Sequence, residues 1–240
     1  MTANPFFCPD CWDTMPRLSP PWCPRCGLPF VSTVALRHSP THLCAACRER
    51  EPPFDWARSA VAYEGVAASA VHVMKYQRRR LLARPLGELL LPLAETLGPV
   101  DGVVPVPLHA ERLREREFNQ ALALARVVCR ETGWPLRWSL LERIRPTRSQ
   151  VGLDAVERRR NVRRAFRVRD DESAQGERLL LIDDVMTTGS TVHECARVLK
   201  RAGASSVQVL TVARQLRDGL QRPTPAMNRS GALTEPDGRA

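Results

Sequence analysis

The thirteen residues Leu179 to Thr191, LLLIDDVMTTGST, hold an acidic pair, a hydroxyl-rich turn and one glycine in a single run. Leu179 to Ile182 is apolar enough for a strand buried on both faces, so Asp183 and Asp184 are expected at its carboxyl end. Thr187, Thr188, Gly189, Ser190 and Thr191 then combine small hydroxylated side chains with a glycine, and such a turn presents backbone N–H groups to an anion. A helix expected over 191–201 adds unsatisfied amides and the positive end of its dipole. Thr191 and Glu194 have the spacing of a capping box, Val192, Cys195, Ala196 and Leu199 form a buried stripe, and Gly203 ends the helix. The acids cannot bind the phosphate itself. They suit vicinal hydroxyls or a divalent metal, which favours a ribose phosphate over bare phosphate. The bland alternative is a strand-turn-helix with two solvated turn acids. There is no Gly-Lys-Ser or Gly-Lys-Thr, so an ordinary ATPase is not indicated.

Two further basic segments and a cysteine module accompany this run. Pro105-Val106-Pro107 leads into HAERLREREFNQ, where Arg112, Arg114 and Arg116 form a second candidate anion site ahead of a helix near Asn119. A solvated run interleaving Glu with Arg is the alternative. Segment 143–164 carries Gln150, Arg158, Arg159, Arg160 and Asn161 with no sustained apolar stripe, and reads as a nucleic-acid-binding strip or a solvated helix. Six of the eight cysteines fall in Cys-x-x-Cys pairs, each able to supply half of a tetrahedral zinc site. Cys23, Cys26, Cys44 and Cys47 are expected to close one site, their pairs being about 17 residues apart, as suits a four-cysteine ribbon. Cys8 and Cys11 either compete for that metal or belong to a second site, with His38 and His42 as alternative ligands. Cys129 and Cys195 fall on apolar helix faces, as small hydrophobes.

These groups must be positioned by a larger framework. Residues 1–55, rich in Pro, Cys and Trp, lack regular periodicity and read as a metal-held module. Residues 56–215 alternate strands and helices. Strands are expected at 58–63, 101–106, 136–141, 165–168, 179–183 and 207–212, and helices at 66–76, 85–97 with a kink at Pro92, 118–130 and 191–201. This is the pattern of an α/β fold with a doubly wound, mostly parallel sheet, whose ligands lie beyond the carboxyl ends of the strands. Residues 216–240 read as a disordered tail. The net charge of +10 and pI near 9.9 come mainly from arginine and favour a polyanionic partner, a phosphorylated small molecule or a nucleic acid. Aromatic residues make up only 5%, which leaves few to stack bases beside the arginines. No apolar run is long enough for membrane insertion and no secretory signal is visible, so a cytoplasmic protein is expected.

LLLIDDVMTTGST resembles the phosphoribosyl-pyrophosphate motif of type I phosphoribosyltransferases. The resemblance implies that Asp183 and Asp184 bind the ribose hydroxyls as the catalytic acids, and that Thr187 to Thr191 hold the 5-phosphate. It further implies that Arg112, Arg114 and Arg116 form the pyrophosphate loop, and that 143–164, with Gln150 and Arg158, is a flap closing over it. The cysteine module, KYQRR, PVP with REFNQ, SQVGLDAVERRRNVRRAF and DDVMTTGST, in this order over residues 8–214, resemble the ComF family of competence-associated proteins. Glu117 stands where that family usually has a glycine, and the chain begins near Cys8, where longer members carry an earlier cysteine pair. The implied function is Mg2+-dependent transfer of a phosphoribosyl group to an unknown acceptor, associated with DNA uptake, with structural Zn2+. The alternative is a non-catalytic protein that senses phosphoribosyl pyrophosphate or binds single-stranded DNA within the uptake machinery.

Overall fold

The computed structural model describes residues 6–30, 39, 41–147 and 154–216. Two short helices, α1 (Pro9–Asp13) and α2 (Ala45–Glu49), belong to the cysteine-rich segment and precede strand β1 (Trp56–Ala62). Helix α3 (Gly65–Tyr76) buries Ala67, Ala70, Val71 and Met74, the 3.6-residue stripe of a helix laid on a sheet. The single helix expected at 85–97 is two, α4 (Ala83–Glu88) and α5 (Leu91–Ala94), because Pro92 fits the first turn of a helix and not its interior.

Strand β2 (Gly102–Pro105) is followed by α6 (Ala110–Arg116), where the sequence suggested a charged loop, and by α7 (Gln120–Thr132). The expected strand at 136–141 shrinks to a bridge between Leu136 and Val103, and pairing resumes in β3 (Leu141–Arg143). Helix α8 (Ala155–Val162), opened by a capping box between Asp154 and Glu157, leads to β4 (Phe166–Val168). Strand β5 (Arg178–Met186), helix α9 (Ser190–Arg201) and strand β6 (Ser206–Arg214) complete the order.

The main sheet has four parallel strands in the order β1-β6-β5-β2, while β3 and β4 form a separate antiparallel pair. Each face of the main sheet has its own core. Leu179, Leu181, Val207 and Val209 pack with α9, the β3–β4 pair and the four cysteines Cys23, Cys26, Cys44 and Cys47. Leu180, Ile182, Leu210 and Val212 pack with α3, α4 and α7 on the opposite face. Helices on both faces of a parallel sheet are the expected doubly wound arrangement. Among the described residues, no helix is long and apolar enough to cross a membrane.

Candidate functional site

Strand β5 does not stop at the acidic pair but runs two residues further, pairing Val185 with Ala213 and Met186 with Arg214. Successive residues of a strand point to opposite faces, so continuation of the strand divides Asp183 from Asp184. Asp184 is buried and accepts an ion pair from Lys75 of α3, Nζ to Oδ1 2.8 Å. Burial alone would lower the Lys75 pKa, but Asp184 overrides it and the ammonium is held charged. Asp183 has no such salt bridge within ion-pair distance among the described residues, and its Oδ1 accepts from the Asp184 N–H at 2.9 Å. Burial raises its carboxyl pKa and Asp184 raises it further, while Lys75 and Arg143 oppose, leaving it near 7. That value lies above the ordinary range of about 4, so this group's contribution to stability is present below pH 4 and is lost as pH rises through 7.

Beyond Met186 the chain turns through Thr187, Thr188 and Gly189 into α9. The helix begins at Ser190, one residue before the sequence suggested, with Gly189 as its N-cap at φ +76°. A side chain at Gly189 would meet the Met186 Cε at 2.9 Å and the His193 ring at 3.0 Å, so the left-handed turn and the close approach both require glycine. The expected Thr191–Glu194 capping box is not formed. Glu194 instead accepts from the Arg164 N–H at 2.6 Å and from Arg197 Nε at 2.8 Å, which ties α9 to the segment before β4. Thr188 Oγ1 and Ser190 Oγ lie 2.8 Å apart, two hydroxyls side by side at the helix start. The turn therefore combines hydroxyls, a glycine and the N-terminus of a 12-residue helix.

His193, which the sequence reading passed over, supports this turn. Its Nδ1 lies 2.7 Å from the Gly189 carbonyl, which can only accept, so Nδ1 carries the proton. Burial lowers its pKa and keeps the ring neutral, and Phe54 packs edge-on at 5.0 Å. The position four residues after Gly189 was the available signal, since a helical side chain can reach back to a carbonyl at that spacing. Lys75 had a weaker one, lying in the KYQRR segment.

The three arginines of α6 separate. Arg112 is half-buried and donates Nη2 to the Thr147 carbonyl at 3.1 Å; Arg116 stacks over the Tyr76 ring at 5.1 Å; Arg114 is exposed. Helix α6 ends at Glu117 with φ +64°, the left-handed cap that glycine occupies most easily. The strain is held by Arg78, which pairs with the Glu117 carboxylate, and by Arg80, which donates to its carbonyl at 2.7 Å. Asn119 then links the PVP segment to α7: its Nδ2 donates to the Val106 carbonyl at 3.0 Å, and its Oδ1 accepts from the Leu122 N–H. Arg158 and Asn161 lie on α8, with Arg159 and Arg160 exposed beside them, while Gln150 and His38 fall outside the described residues.

The cysteines sort clearly. The Sγ atoms of Cys23, Cys26, Cys44 and Cys47 lie within 4.8 Å of one another, all buried, and form a group that could hold a metal ion. Hydrogen bonding among the four thiols lowers the Cys23 pKa and raises those of Cys26 and Cys47, whereas a bound metal would take all four as thiolates. Cys8 and Cys11 are not part of this group. Cys8 is exposed and caps α1, accepting from the Cys11 N–H at 3.3 Å, and two thiolates supply only half of a tetrahedral set. His42 lies outside the quartet too, packed against Phe30 at 5.8 Å. Cys195 is fully buried, and burial raises the half-buried Cys129 thiol to about 11, as expected of core cysteines.

Two arginines join the cysteine group to the sheet. Arg58 stacks between Trp22 and Trp56 at 5.0 and 4.9 Å and donates to the Pro24 carbonyl. Buried Arg214 donates to the Cys26 carbonyl at 2.5 Å and lies 3.6 Å from Cys26 Sγ and 3.3 Å from Met186 Sδ. Neither has a carboxylate partner among the described residues. Gly27, at φ +70°, brings the cysteine turn so close to β1 that a Cβ there would stand 2.4 Å from the Ala57 carbonyl. Arg214 and Met186 thereby link the cysteine group to the turn at 187–190.

A parallel sheet with an acid-bearing strand, a hydroxyl-glycine turn and a helix N-terminus at its carboxyl end defines a phosphoribosyltransferase-type domain. Residues 121–227 accordingly match the Phosphoribosyl transferase domain. The chain belongs to the ComF family of type I phosphoribosyltransferase-like proteins. It is 35% identical over 200 residues to the DNA utilization protein YhgH of Salmonella typhimurium, covering 81% of this chain and 84% of that one. It is 29% identical over 201 residues to Competence protein F of Haemophilus influenzae, covering 81% and 85%. Competence protein ComFC of Bacillus subtilis is 37% identical over 113 residues, covering 47% and 44%.

Proposed function

We propose that the chain binds phosphoribosyl pyrophosphate with Mg2+ and transfers the phosphoribosyl group to an acceptor. The observation that carries this reading is the open Asp183 carboxylate standing just before the Thr187–Ser190 turn and the α9 N-terminus. In this reading the turn and Thr191 hold the 5-phosphate, and Asp183 accepts from the ribose hydroxyls. Lys75 fixes Asp184 behind it, and Arg112 leads the contacts to the pyrophosphate. Mg2+ supplies charge neutralisation on the departing diphosphate. Zn2+ is the ion proposed for the cysteine group, since four buried thiolates suit tetrahedral Zn2+ with bonds of about 2.3 Å. Calorimetry with phosphoribosyl pyrophosphate and Mg2+ tests the reading, and absence of saturable binding refutes it.

Proton linkage supplies a second check. The ligand's hydroxyls and Mg2+ bind the carboxylate form of Asp183, so below its pKa of about 7 a proton must leave on binding. Affinity should weaken by up to about tenfold per unit as pH falls from 7 to 6 and level off above 8. Phosphate ionisation adds its own dependence, so the comparison is with Asp183→Asn, whose curve should be flatter. Identical curves for the two proteins would remove Asp183 from the site.

A second reading is favoured by one surface. Tyr76, Leu81 and Leu113 are exposed among Arg78, Arg79, Arg80, Arg114 and Arg116, an arrangement of one ring, two apolar groups and guanidinium ions suited to unpaired nucleotides. Fluorescence anisotropy with labelled oligo(dT) should show binding that declines steeply between 50 and 200 mM salt, on the order of tenfold or more. Binding without salt dependence, or unchanged in Arg79→Ala/Arg114→Ala, would exclude this surface.

A further inference from the structure

Arginines crowd the β3–β4 pair and its flanks, and most have partners supplied by the chain. Arg137 is held by Glu172 at 2.8 Å and Glu177 at 2.6 Å. Arg167 pairs with Glu142 and Asp170, and Arg169 with Asp171. Arg145 donates to the carbonyls of Asn161 and Arg163 at 2.9 and 2.8 Å. Arg143 is different. It stands opposite Phe166 in the ladder, its guanidinium lies 5.1 Å from that ring, and one Nη donates to the Thr147 hydroxyl. Its Nε is buried without a partner, and no carboxylate of the described residues lies within ion-pair distance.

The charged groups around Arg143 are Arg112, Arg145 and Asp183, with the Cys195 thiol. Burial, with Arg112 second, lowers its pKa, the reverse of what a resident ion pair does. Arg112 converges on the same loop residue, donating to the Thr147 carbonyl. A desolvated guanidinium with an unsatisfied donor is unfavourable in the free protein and favourable once an anion completes it. Arg143 lies on β3 and Arg112 on α6, yet both reach Thr147, so phosphoribosyl pyrophosphate affinity is what separates an acceptor contact from a diphosphate contact. A flat guanidinium stacked on a ring offers a planar fork, which matches a carboxylate or a phosphate, and the phosphates are assigned above to the turn and to α6.

We propose that Arg143 recognises a carboxylate on the acceptor, so that the second substrate is a carboxylate-bearing nitrogen nucleophile. This rests on the phosphoribosyl-transfer reading. In the step itself the acceptor nitrogen donates its electron pair to the anomeric carbon. The bond from that carbon to the pyrophosphate oxygen breaks, and pyrophosphate leaves with the bonding pair. Any proton on the acceptor nitrogen passes to solvent. Arg143 does not touch the reacting bond; it is a specificity residue that orients the acceptor through its acidic group.

Matched probes test this on the full chain with Mg2+: orotate against uracil, nicotinate against nicotinamide, anthranilate against aniline. Phosphoribosyl pyrophosphate affinity is measured first, and failure there sinks the transfer reading independently. Acceptor binding is then followed by saturation-transfer NMR, and turnover by pyrophosphate release. At least one acid should exceed its neutral partner by about tenfold or more, the range set by a charged bidentate contact. Arg143→Gln should abolish that preference and Arg143→Lys should restore it in part, with phosphoribosyl pyrophosphate affinity within about twofold of wild type and melting temperatures confirming folding. Equal response to acids and neutral partners, or no response to any acid, overturns the proposal. An equal loss of phosphoribosyl pyrophosphate or pyrophosphate affinity in Arg143→Gln overturns it too, by making Arg143 a diphosphate contact.

Discussion

Asp183→Asn is expected to weaken phosphoribosyl pyrophosphate binding by roughly 10- to 150-fold, the equivalent of about 1.5–3 kcal/mol for a hydrogen bond to a charged acceptor. The amide preserves shape, so the loss reflects charge and acceptor capacity. The same substitution should leave the free protein as stable or more stable at pH 8, because it removes a desolvated negative charge beside Asp184. A structural aspartate would behave in the opposite way, losing stability first. Calorimetry and thermal melts on one preparation decide the matter: affinity within twofold of wild type would remove Asp183 from the ligand site. Asp184 should divide differently. Its carboxylate is bound to Lys75, so Asp184→Asn leaves a buried ammonium uncompensated and is expected to lower stability as well as affinity.

Removal of the Zn2+ proposed for the cysteine group is the second large effect expected. A four-thiolate zinc site carries a net charge of about −2, and Arg58 and Arg214 are the cations placed to balance it. Chelation under reducing conditions, or Cys26→Ser, would empty the site and leave Arg214 with a buried, unbalanced charge. A loss of about 3–5 kcal/mol is expected, a fall in melting temperature of roughly 10 °C for a chain this long. Phosphoribosyl pyrophosphate affinity should fall with it, since Arg214 also packs on Met186 at the entrance to the turn. Cys8→Ser and Cys11→Ser should leave metal content unchanged, because neither belongs to the quartet. Elemental analysis and melts check both statements. A metal-free chain with an unchanged melting temperature would refute the structural role.

The parts of the molecule legible in the sequence are those fixed by local pattern. The apolar run into β5, the small residues of the turn and the stripe of α9 follow one another without a gap, so strand, turn and helix were visible as a unit. The cysteine quartet was visible because paired thiols at that separation have few uses besides a metal. What was not visible depends on chain-distant partners. Strand pairing beyond Asp184 comes from β6, and that pairing turns two adjacent acids into one open carboxylate and one buried ion pair. The Thr191–Glu194 spacing gave the wrong cap because the backbone of Arg164, thirty residues away, captures Glu194. Arg143 was one arginine among many in a basic segment. Carboxylates hold Arg137, Arg167 and Arg169 and carbonyls hold Arg145, whereas the Nε of Arg143, like that of Arg158, is buried without a partner.

The sheet order sets a sequence of events during synthesis. Within the main sheet β1 pairs with β6, the last of its strands, and Cys26 receives its bond from Arg214, 188 positions later. A ribosome must therefore deliver nearly the whole domain before β1, on which Arg17 and Arg25 already rest through backbone pairing, takes its place in the sheet. Contacts of such long range fold slowly. Until β6 emerges, one edge of β1 and the Cys26 carbonyl lack their final partners, so early metal capture by the thiols would hold the nascent segment together during that wait. A chain truncated before Ser206 would leave β1 without its strand partner and Cys26 without the Arg214 bond, whatever the state of its cysteines.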